Sequence, residues 1–180
     1  GIKLPDTVNI MIEEESVVYA IKSSDGQWWM MDSDGRVVEQ ANNAKAATTT
    51  QVLGVTLEAP TVNEKGVATE MTPSETNELG ELIPVTTTGA QRLTAALQIL
   101  KALENNDIVG EAASVDVTST EDIILWYGTR YQVNLGDTSR LDYKVDCMND
   151  AILQMSDYQS GVLDISFTIW PNQVGYTPFA

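Results

Sequence analysis

The segment from Trp126 to Pro178 constrains the fold of this chain more than any other stretch of its sequence. It runs in order through an alternating strand, a Gly-Asp turn, an amphipathic helix, a second alternating strand and a short aromatic tail. Helical spacing over so few heptads is too short for a coiled coil and favours a helix packed on a sheet. Gly136 would end the first strand, and Asp137 or Thr138 would cap the helix. The apolar residues at helical spacing are Leu141, Val145, Met148, Ile152 and Met155.

The second strand of this segment is predicted over residues 161–170. Its residues alternate in character, which is typical of a strand with one buried face. Its place near the end of the pattern favours a position at the edge of a sheet. The apolar face would hold Leu163, Ile165, Phe167 and Ile169, and the polar face Asp164, Ser166 and Thr168.

The rest of the chain predicts hairpins, one further helix and a long loop. The helix is expected from Gly89 to Asn106, with Thr87 or Thr88 as its cap. Residues 61–86 are rich in Pro, Gly, Glu and Thr and predict a loop. The predicted class is therefore α+β, mainly β, with a curved, mostly antiparallel sheet and two packed helices. Strands are predicted over 7–13 (with Val8, Ile10 and Ile12 on one face), 17–22, 27–31, 36–39, 52–57, 113–118, 122–127 and 129–135.

The charge of the chain argues against nucleic acid as a partner. Its 180 residues include 26 acidic and 10 basic side chains, for a net charge of −16. With so few basic side chains, the chain could neutralise too few phosphates to bind nucleic acid well. The chain has no histidine and a single cysteine, Cys147, so an internal disulfide is excluded and the usual catalytic base is absent. We expect no cofactor and no metal, and no catalytic residues.

Some short motifs nevertheless have chemical interpretations that compete with structural ones. Asp32 to Gly35 resembles part of a calcium loop, but the spacing favours a hairpin turn. Glu13 to Glu15 and the pair Glu121–Asp122 would serve a glycosidase only if two carboxylates faced each other across a cleft. Four tryptophans fit sugar stacking less well than packing. An acidic carbohydrate-active enzyme therefore remains one alternative, and a generic envelope adhesion module another.

Several motifs, taken in order, resemble the FtsQ/DivIB family of bacterial cell-division proteins. Residues 4–14 and 17–21 resemble the last strands of its small POTRA domain, and residues 29–38 resemble the hairpin that opens its β domain. Residues 133–137, 141–144 and 162–167 resemble the closing half. The resemblance implies POTRA-like strands over residues 1–24 and a β domain over residues 25–180.

The resemblance also implies a function. Members of this family are non-catalytic divisome scaffolds that bind FtsB/DivIC-type and FtsL-type partners along the final strand. The implied location is the extracytoplasmic face of the cytoplasmic membrane at the division site. The resemblance implies a single membrane-spanning helix, which would lie upstream of Gly1, since no run in the chain approaches the ~18 apolar residues of a membrane span. Carried onto this sequence, partner binding is expected at Ser166, Phe167, Thr168, Ile169, Trp170 and Tyr176.

Overall fold

The computed structural model describes residues 17–70, 78–82 and 86–180. These residues form a nine-stranded sheet with three α-helices, so the predicted class, α+β and mainly β, is confirmed. The elements are β1 (Tyr19–Ser23), β2 (Trp28–Met31), β3 (Val37–Ala41), α1 (Asn43–Ala47), β4 (Gln51–Leu57), α2 (Gly89–Asn105), a 3-10 turn (Val109–Glu111), β5 (Ala112–Asp116), β6 (Ile123–Tyr127), β7 (Tyr131–Gly136), α3 (Leu141–Leu153), β8 (Gly161–Asp164) and β9 (Gly175–Pro178).

The sheet is mixed, with the strand order β3-β2-β1-β4-β5-β6-β7-β8-β9. Most neighbouring strands are antiparallel, as predicted, but β1–β4, β4–β5 and β7–β8 are parallel. Two of these parallel contacts follow from the helices. A strand that returns to the sheet after a helix crosses over its face and re-enters in the same direction. Helix α2 connects β4 to β5 in this way, and α3 connects β7 to β8.

Helices α2 and α3 contact each other and cover one face of the sheet, where the main core lies. The apolar stripe predicted for α3 is confirmed: Val145 and Met148 are buried, and Leu141, Ile152 and Met155 pack against the core. Helix α2 buries the equivalent stripe, and its start is fixed by a capping box. The Thr88 hydroxyl accepts from the Gln91 N–H, and the Gln91 side chain accepts from the Thr88 N–H.

One local prediction is wrong, and two local features were not predicted. Helix α3 is capped by neither Asp137 nor Thr138, because the chain enters it through Arg140 in the left-handed region, with φ +55° and no side-chain cap. The short helix α1 was not predicted, since five residues show no period; Asn42 caps it. Residues 61–70 of the predicted loop are hydrogen-bonded to β3 and β4 through isolated bridges.

The domain boundary predicted between residues 24 and 25 falls in the turn between β1 and β2. Strand β1 belongs to the same sheet as β2 and β4, its neighbours on either side. The strand predicted over residues 7–13 lies outside the described residues. The extent of an N-terminal POTRA-like part therefore stays a prediction.

Candidate interaction surface

The strand predicted over residues 161–170 ends at Asp164, so the prediction is wrong for its second half. The carboxylate of Asp164 accepts hydrogen bonds from the Ser166 N–H at 2.9 Å and the Ser166 hydroxyl at 2.7 Å. The Ser166 and Thr168 hydroxyls are 2.8 Å apart. These side chains bond to one another and to nearby backbone N–H groups, and such bonds compete with the ladder. The polar face of the predicted strand is therefore a turn.

Phe167 completes this turn in the left-handed region, at φ +61°. Its side chain packs against the main core and lies 5.7 Å from the Tyr143 ring, between centroids. The Arg140 guanidinium lies 4.4 Å from the Tyr143 ring and 5.5 Å from the Phe167 ring. It also donates to the Asn172 side chain at 2.9 Å. Phe167 was predicted both on the apolar face of the strand and among the partner-binding residues. Its contacts support the first role, packing against the core.

The edge of the sheet is formed by β9, which runs antiparallel to β8. The Phe179 N–H donates to the Ser160 carbonyl at 3.2 Å, so residue 179 occupies a bonded position opposite residue 160. Opposed residues alternate between bonded and non-bonded pairs in an antiparallel ladder. In this register Tyr176 is a non-bonded position, so its N–H and C=O point away from β8. No described residue pairs with that outer edge.

The opposite edge of the sheet, β3, is covered. The Val37 N–H donates to the Glu64 carbonyl at 2.8 Å, and the Asn63 N–H donates to the Val37 carbonyl at 2.8 Å. Arg36 also forms an isolated bridge with Lys65. Natural proteins often cover an edge strand in this way, because an open edge can pair with another chain. Within the described residues β9 is therefore the more open of the two edges.

The remaining predicted binding residues surround β9 in different ways. Ile169 and Trp170 are 67% and 53% exposed, and Trp170 lies across the start of β9, where a Cβ on Gly175 would be 3.2 Å from its Cδ1. Thr168 is exposed, whereas Ser166 is half-buried in the turn. The Tyr176 ring is half-buried and its hydroxyl donates to the Ser160 carbonyl at 3.2 Å.

One aromatic residue beside β9 was missed by the sequence analysis. Phe179 is partly exposed, and its ring stacks on Trp126 with centroids 6.2 Å apart and an interplanar angle of 26°. The sequence does hold a signal for it: in a strand that continues past Pro178, Phe179 falls on the same face as Thr177 and opposite to Tyr176. Exposed aromatic side chains at both ends of β9 suit a partner contact, where such residues are enriched.

The start of α3, which supports Phe167, is anchored to the end of β7 by Lys144. The Lys144 side chain is 1% exposed, and its ammonium donates to the carboxylate and to the main-chain carbonyl of Asp137, each at 2.9 Å. Hydrogen bonds from Ser139 and then from Lys144 lower the pKa of Asp137 to about 2. This anchor fixes Arg140 and Tyr143 in the positions from which they contact Phe167.

A cavity of about 330 Å³ lies beside the turn and has acidic residues in its wall, namely Glu121, Asp122 and Asp164. Asp164 is already engaged, because its Oδ1 accepts both bonds from Ser166. Within the described residues no group of three or more His, Cys, Asp or Glu side chains is placed to hold a metal ion. The observed role of Asp164 is to hold the turn.

Comparisons of the chain with protein-family models, curated proteins and solved structures found no match. No helix in the described part of the chain has both the length and the apolar character needed to cross a bilayer.

Proposed function

We propose that this chain is a non-catalytic interaction domain of the FtsQ/DivIB type, which binds a partner segment by strand addition along β9. The observation that carries the proposal is the main chain of Tyr176, whose N–H and C=O face outward with no partner among the described residues. Main-chain hydrogen bonds to such an edge supply affinity, and side-chain contacts beside it supply specificity.

The chemistry of β9 limits how a partner strand would sit. Pro178 has no N–H, so at this position the edge offers a carbonyl only. Tyr176 is the position within β9 that offers both groups outward. We therefore infer a short added strand that is centred on Tyr176 and ends near Pro178.

The six predicted binding residues have different roles in this form of binding. Tyr176 supplies the main-chain contact, Trp170 supplies exposed apolar surface at the start of β9, and Ile169 supplies exposed apolar surface beside the preceding turn. Ser166, Phe167 and Thr168 form the preceding turn and act by fixing its shape. A partner contact along the main chain of residues 166–170 is not expected, because these residues do not form a strand.

The wider setting of the proposal rests on the resemblance to the FtsQ/DivIB family. The partners would be FtsB/DivIC-type and FtsL-type division proteins, and the location would be the extracytoplasmic face of the membrane at the division site. The charge of −16 is compatible with this setting and favours partner segments that carry basic residues.

The test is isothermal titration calorimetry of the domain with the soluble extracytoplasmic segments of DivIC-like and FtsL-like proteins of the same organism. The decisive comparison is between Tyr176→Ala and Tyr176→Pro. Both variants lose the ring and its bond to Ser160, but the proline variant alone loses the outward N–H. We expect Tyr176→Pro to bind about tenfold more weakly than Tyr176→Ala, as expected for one lost main-chain hydrogen bond.

Both variants must first unfold at similar temperatures, so that a binding difference reports on the edge. Equal affinities of the two variants would exclude strand addition at Tyr176. An absence of heat at about 100 μM of each partner segment would contradict the family assignment itself. Equal binding of a sequence-scrambled partner segment would favour a generic adhesion module instead.

A further inference from the structure

Lys22 differs from every other cationic side chain in the described part of the chain. The other eight, in an acidic protein, each donate a hydrogen bond or form an ion pair within the structure. Lys22 does neither; it is exposed, and its ammonium lies 5.0 Å from the ring centroid of Trp28, its direct neighbour across β1 and β2. The indole N–H of Trp28 likewise has no hydrogen bond to a described residue. Two unpaired donors therefore lie side by side.

These donors lie at a cavity of about 330 Å³ on the side of the sheet away from α2 and α3. Its wall includes apolar surface from the exposed side chain of Leu53 and from the Trp28 ring, with the buried Val55 beneath. None of its lining residues is acidic, although the chain has 26 acidic side chains. The cavity thus combines a positive charge with apolar walls in a protein whose surface is otherwise strongly negative.

A bulge in β4 shapes this cavity. Between Val52 and Leu57 β4 advances five residues while β1 advances two, from Ile21 to Ser23. Gly54 allows the bulge, because its φ is +85° and a Cβ there would lie 2.3 Å from the Thr118 nitrogen. Bulges of this kind are often found beside functional sites, where they redirect side chains.

The bulge is also held in place from the helix side. Arg92 of α2 donates to the Gly54 carbonyl at 3.0 Å, and the Val117 N–H donates to the Leu53 carbonyl at 2.9 Å. The cavity is therefore formed before any ligand arrives, and binding there would require little ordering of the wall.

We infer that this cavity binds a carboxylate next to an apolar side chain, presented by an acidic, apolar segment of a partner protein. The carboxylate would accept hydrogen bonds from the Lys22 ammonium and the Trp28 indole N–H, and the apolar side chain would contact Leu53, which is 36% exposed, and the Trp28 ring. Charge complementarity selects this occupant, since Lys22 is the one cation in the described residues that has neither a hydrogen bond nor an ion pair. The site lies on β1, β2 and β4 and is independent of the β9 edge.

The inference can be tested by nuclear magnetic resonance, through the indole N–H signal of Trp28, which a Trp28→Phe variant assigns. The probe is the blocked peptide acetyl-Leu-Glu-Leu-amide, and its matched control is acetyl-Leu-Gln-Leu-amide. We expect a saturable shift of the Trp28 signal with the Glu peptide, and binding at least about fivefold weaker with the Gln peptide. Raising the salt concentration should weaken binding of the Glu peptide only.

Two variants connect the signal to the site. Lys22→Gln should reduce binding of the Glu peptide to the level of the Gln peptide. Lys101→Gln removes an exposed cation that pairs with Asp34 outside the cavity, and should leave binding unchanged. Unfolding temperatures of both variants are measured first. A Lys22→Gln variant that binds the Glu peptide as tightly as the original protein would overturn the inference.

Two further results would each overturn the inference. No saturable shift with the Glu peptide at concentrations up to about 10 mM would exclude the site. Hexanoate that binds as tightly as the peptide would show that the cavity takes a small carboxylate, which would overturn its assignment to a partner segment. Neither result would bear on strand addition at β9, because the two sites lie on different strands.

Discussion

The buried ammonium of Lys144 lies 2.9 Å from both the carboxylate and the main-chain carbonyl oxygen of Asp137. This contact joins the first turn of α3 to the end of β7. It does so where the helix lacks a side-chain cap. The same turn of α3 carries Arg140 and Tyr143 to Phe167, so the turn before β9 depends on how the helix begins.

Removing Asp137 should lower the free energy of unfolding more than removing Lys144. Asp137→Ala leaves the buried Lys144 ammonium with the main-chain carbonyl of residue 137 as its one acceptor among the described residues, and should lower the free energy of unfolding by about 1–3 kcal/mol. Lys144→Met removes the buried charge while filling a similar volume, and should change that free energy by less than about 1 kcal/mol. Urea unfolding followed by tryptophan fluorescence measures both. A larger loss in Lys144→Met than in Asp137→Ala would contradict this account.

The lowered pKa of Asp137 leads us to expect that the free energy of unfolding decreases at acid pH. Its pKa is about 2 in the folded protein, against an ordinary value of 3.8, so the unfolded chain binds the proton more readily. The stabilisation is therefore fully present above about pH 4 and is lost as pH falls through the folded value. Because the carboxylate is 57% exposed, the loss should not exceed about 1 kcal/mol. Urea unfolding between pH 5 and 2 should show a smaller decline in Asp137→Asn than in the original protein.

A second buried contact joins β1 to α2 and the turn between β2 and β3. The hydroxyl of Tyr19, whose residue is fully buried, donates to Glu104 at 2.7 Å, and the Ser33 hydroxyl donates to the other carboxylate oxygen at 2.8 Å. Burial, followed by the bond to Glu104, raises the pKa of Tyr19, so the phenol stays protonated.

Glu104→Ala should therefore be more destabilising than Tyr19→Phe. The first variant leaves the Tyr19 hydroxyl without its acceptor inside the protein, at about 1–3 kcal/mol, whereas the second removes the hydroxyl itself, at about 1 kcal/mol. Thermal unfolding by circular dichroism, with Ser33→Ala as the peripheral comparison, provides the measurement. Equal destabilisation by Glu104→Ala and Ser33→Ala would show that the Tyr19 bond contributes little.

The two long helices, α2 and α3, and the early hairpins were predictable because their signals are periodic and long. The stripe of α3 spans four turns, and a Thr-to-Gln capping box opens α2. The parallel contacts of the sheet are not encoded in any single strand, since β5 becomes parallel to β4, and β8 to β7, through the helices that precede them. Local periodicity therefore identified elements more readily than their order in the sheet.

The candidate site was predictable only in part, for a physical reason. Alternation at Asp164, Ser166 and Thr168 fits the polar face of a strand and equally fits a turn held by hydroxyl and carboxylate bonds. The edge was predicted at the strand over residues 161–170, with Tyr176 in a tail after it. In the structure β8 lies inside the sheet and β9, which contains Tyr176, forms the edge, so the outward main chain of Tyr176 depends on pairing with β8. The cavity at Lys22 depends on a bulge in β4 that strand alternation does not reveal.

The close approach of β9 to β8 at Gly161 gives a prediction that links structure to the proposed function. A Cβ on Gly161 would lie 2.3 Å from the Thr177 carbonyl oxygen and 2.8 Å from the Tyr176 ring. Gly161→Ala must therefore push β9 away from β8, at a cost of about 1–3 kcal/mol. The amide protons of Thr177 and Phe179 should exchange faster in hydrogen-exchange measurements, because their bonds to β8 and to Ser160 would weaken.

The same displacement should weaken binding of the DivIC-like segment, since an edge that moves cannot offer Tyr176 in a fixed position. Gly110→Ala is the matched control, because a Cβ at Gly110 would meet no atom within 4 Å. It should leave both exchange and binding unchanged. Faster exchange at Thr177 with unchanged partner affinity would show that the partner does not use β9, even though β9 is displaced. Unchanged exchange in Gly161→Ala would show instead that the β8–β9 contact is looser than its distances indicate.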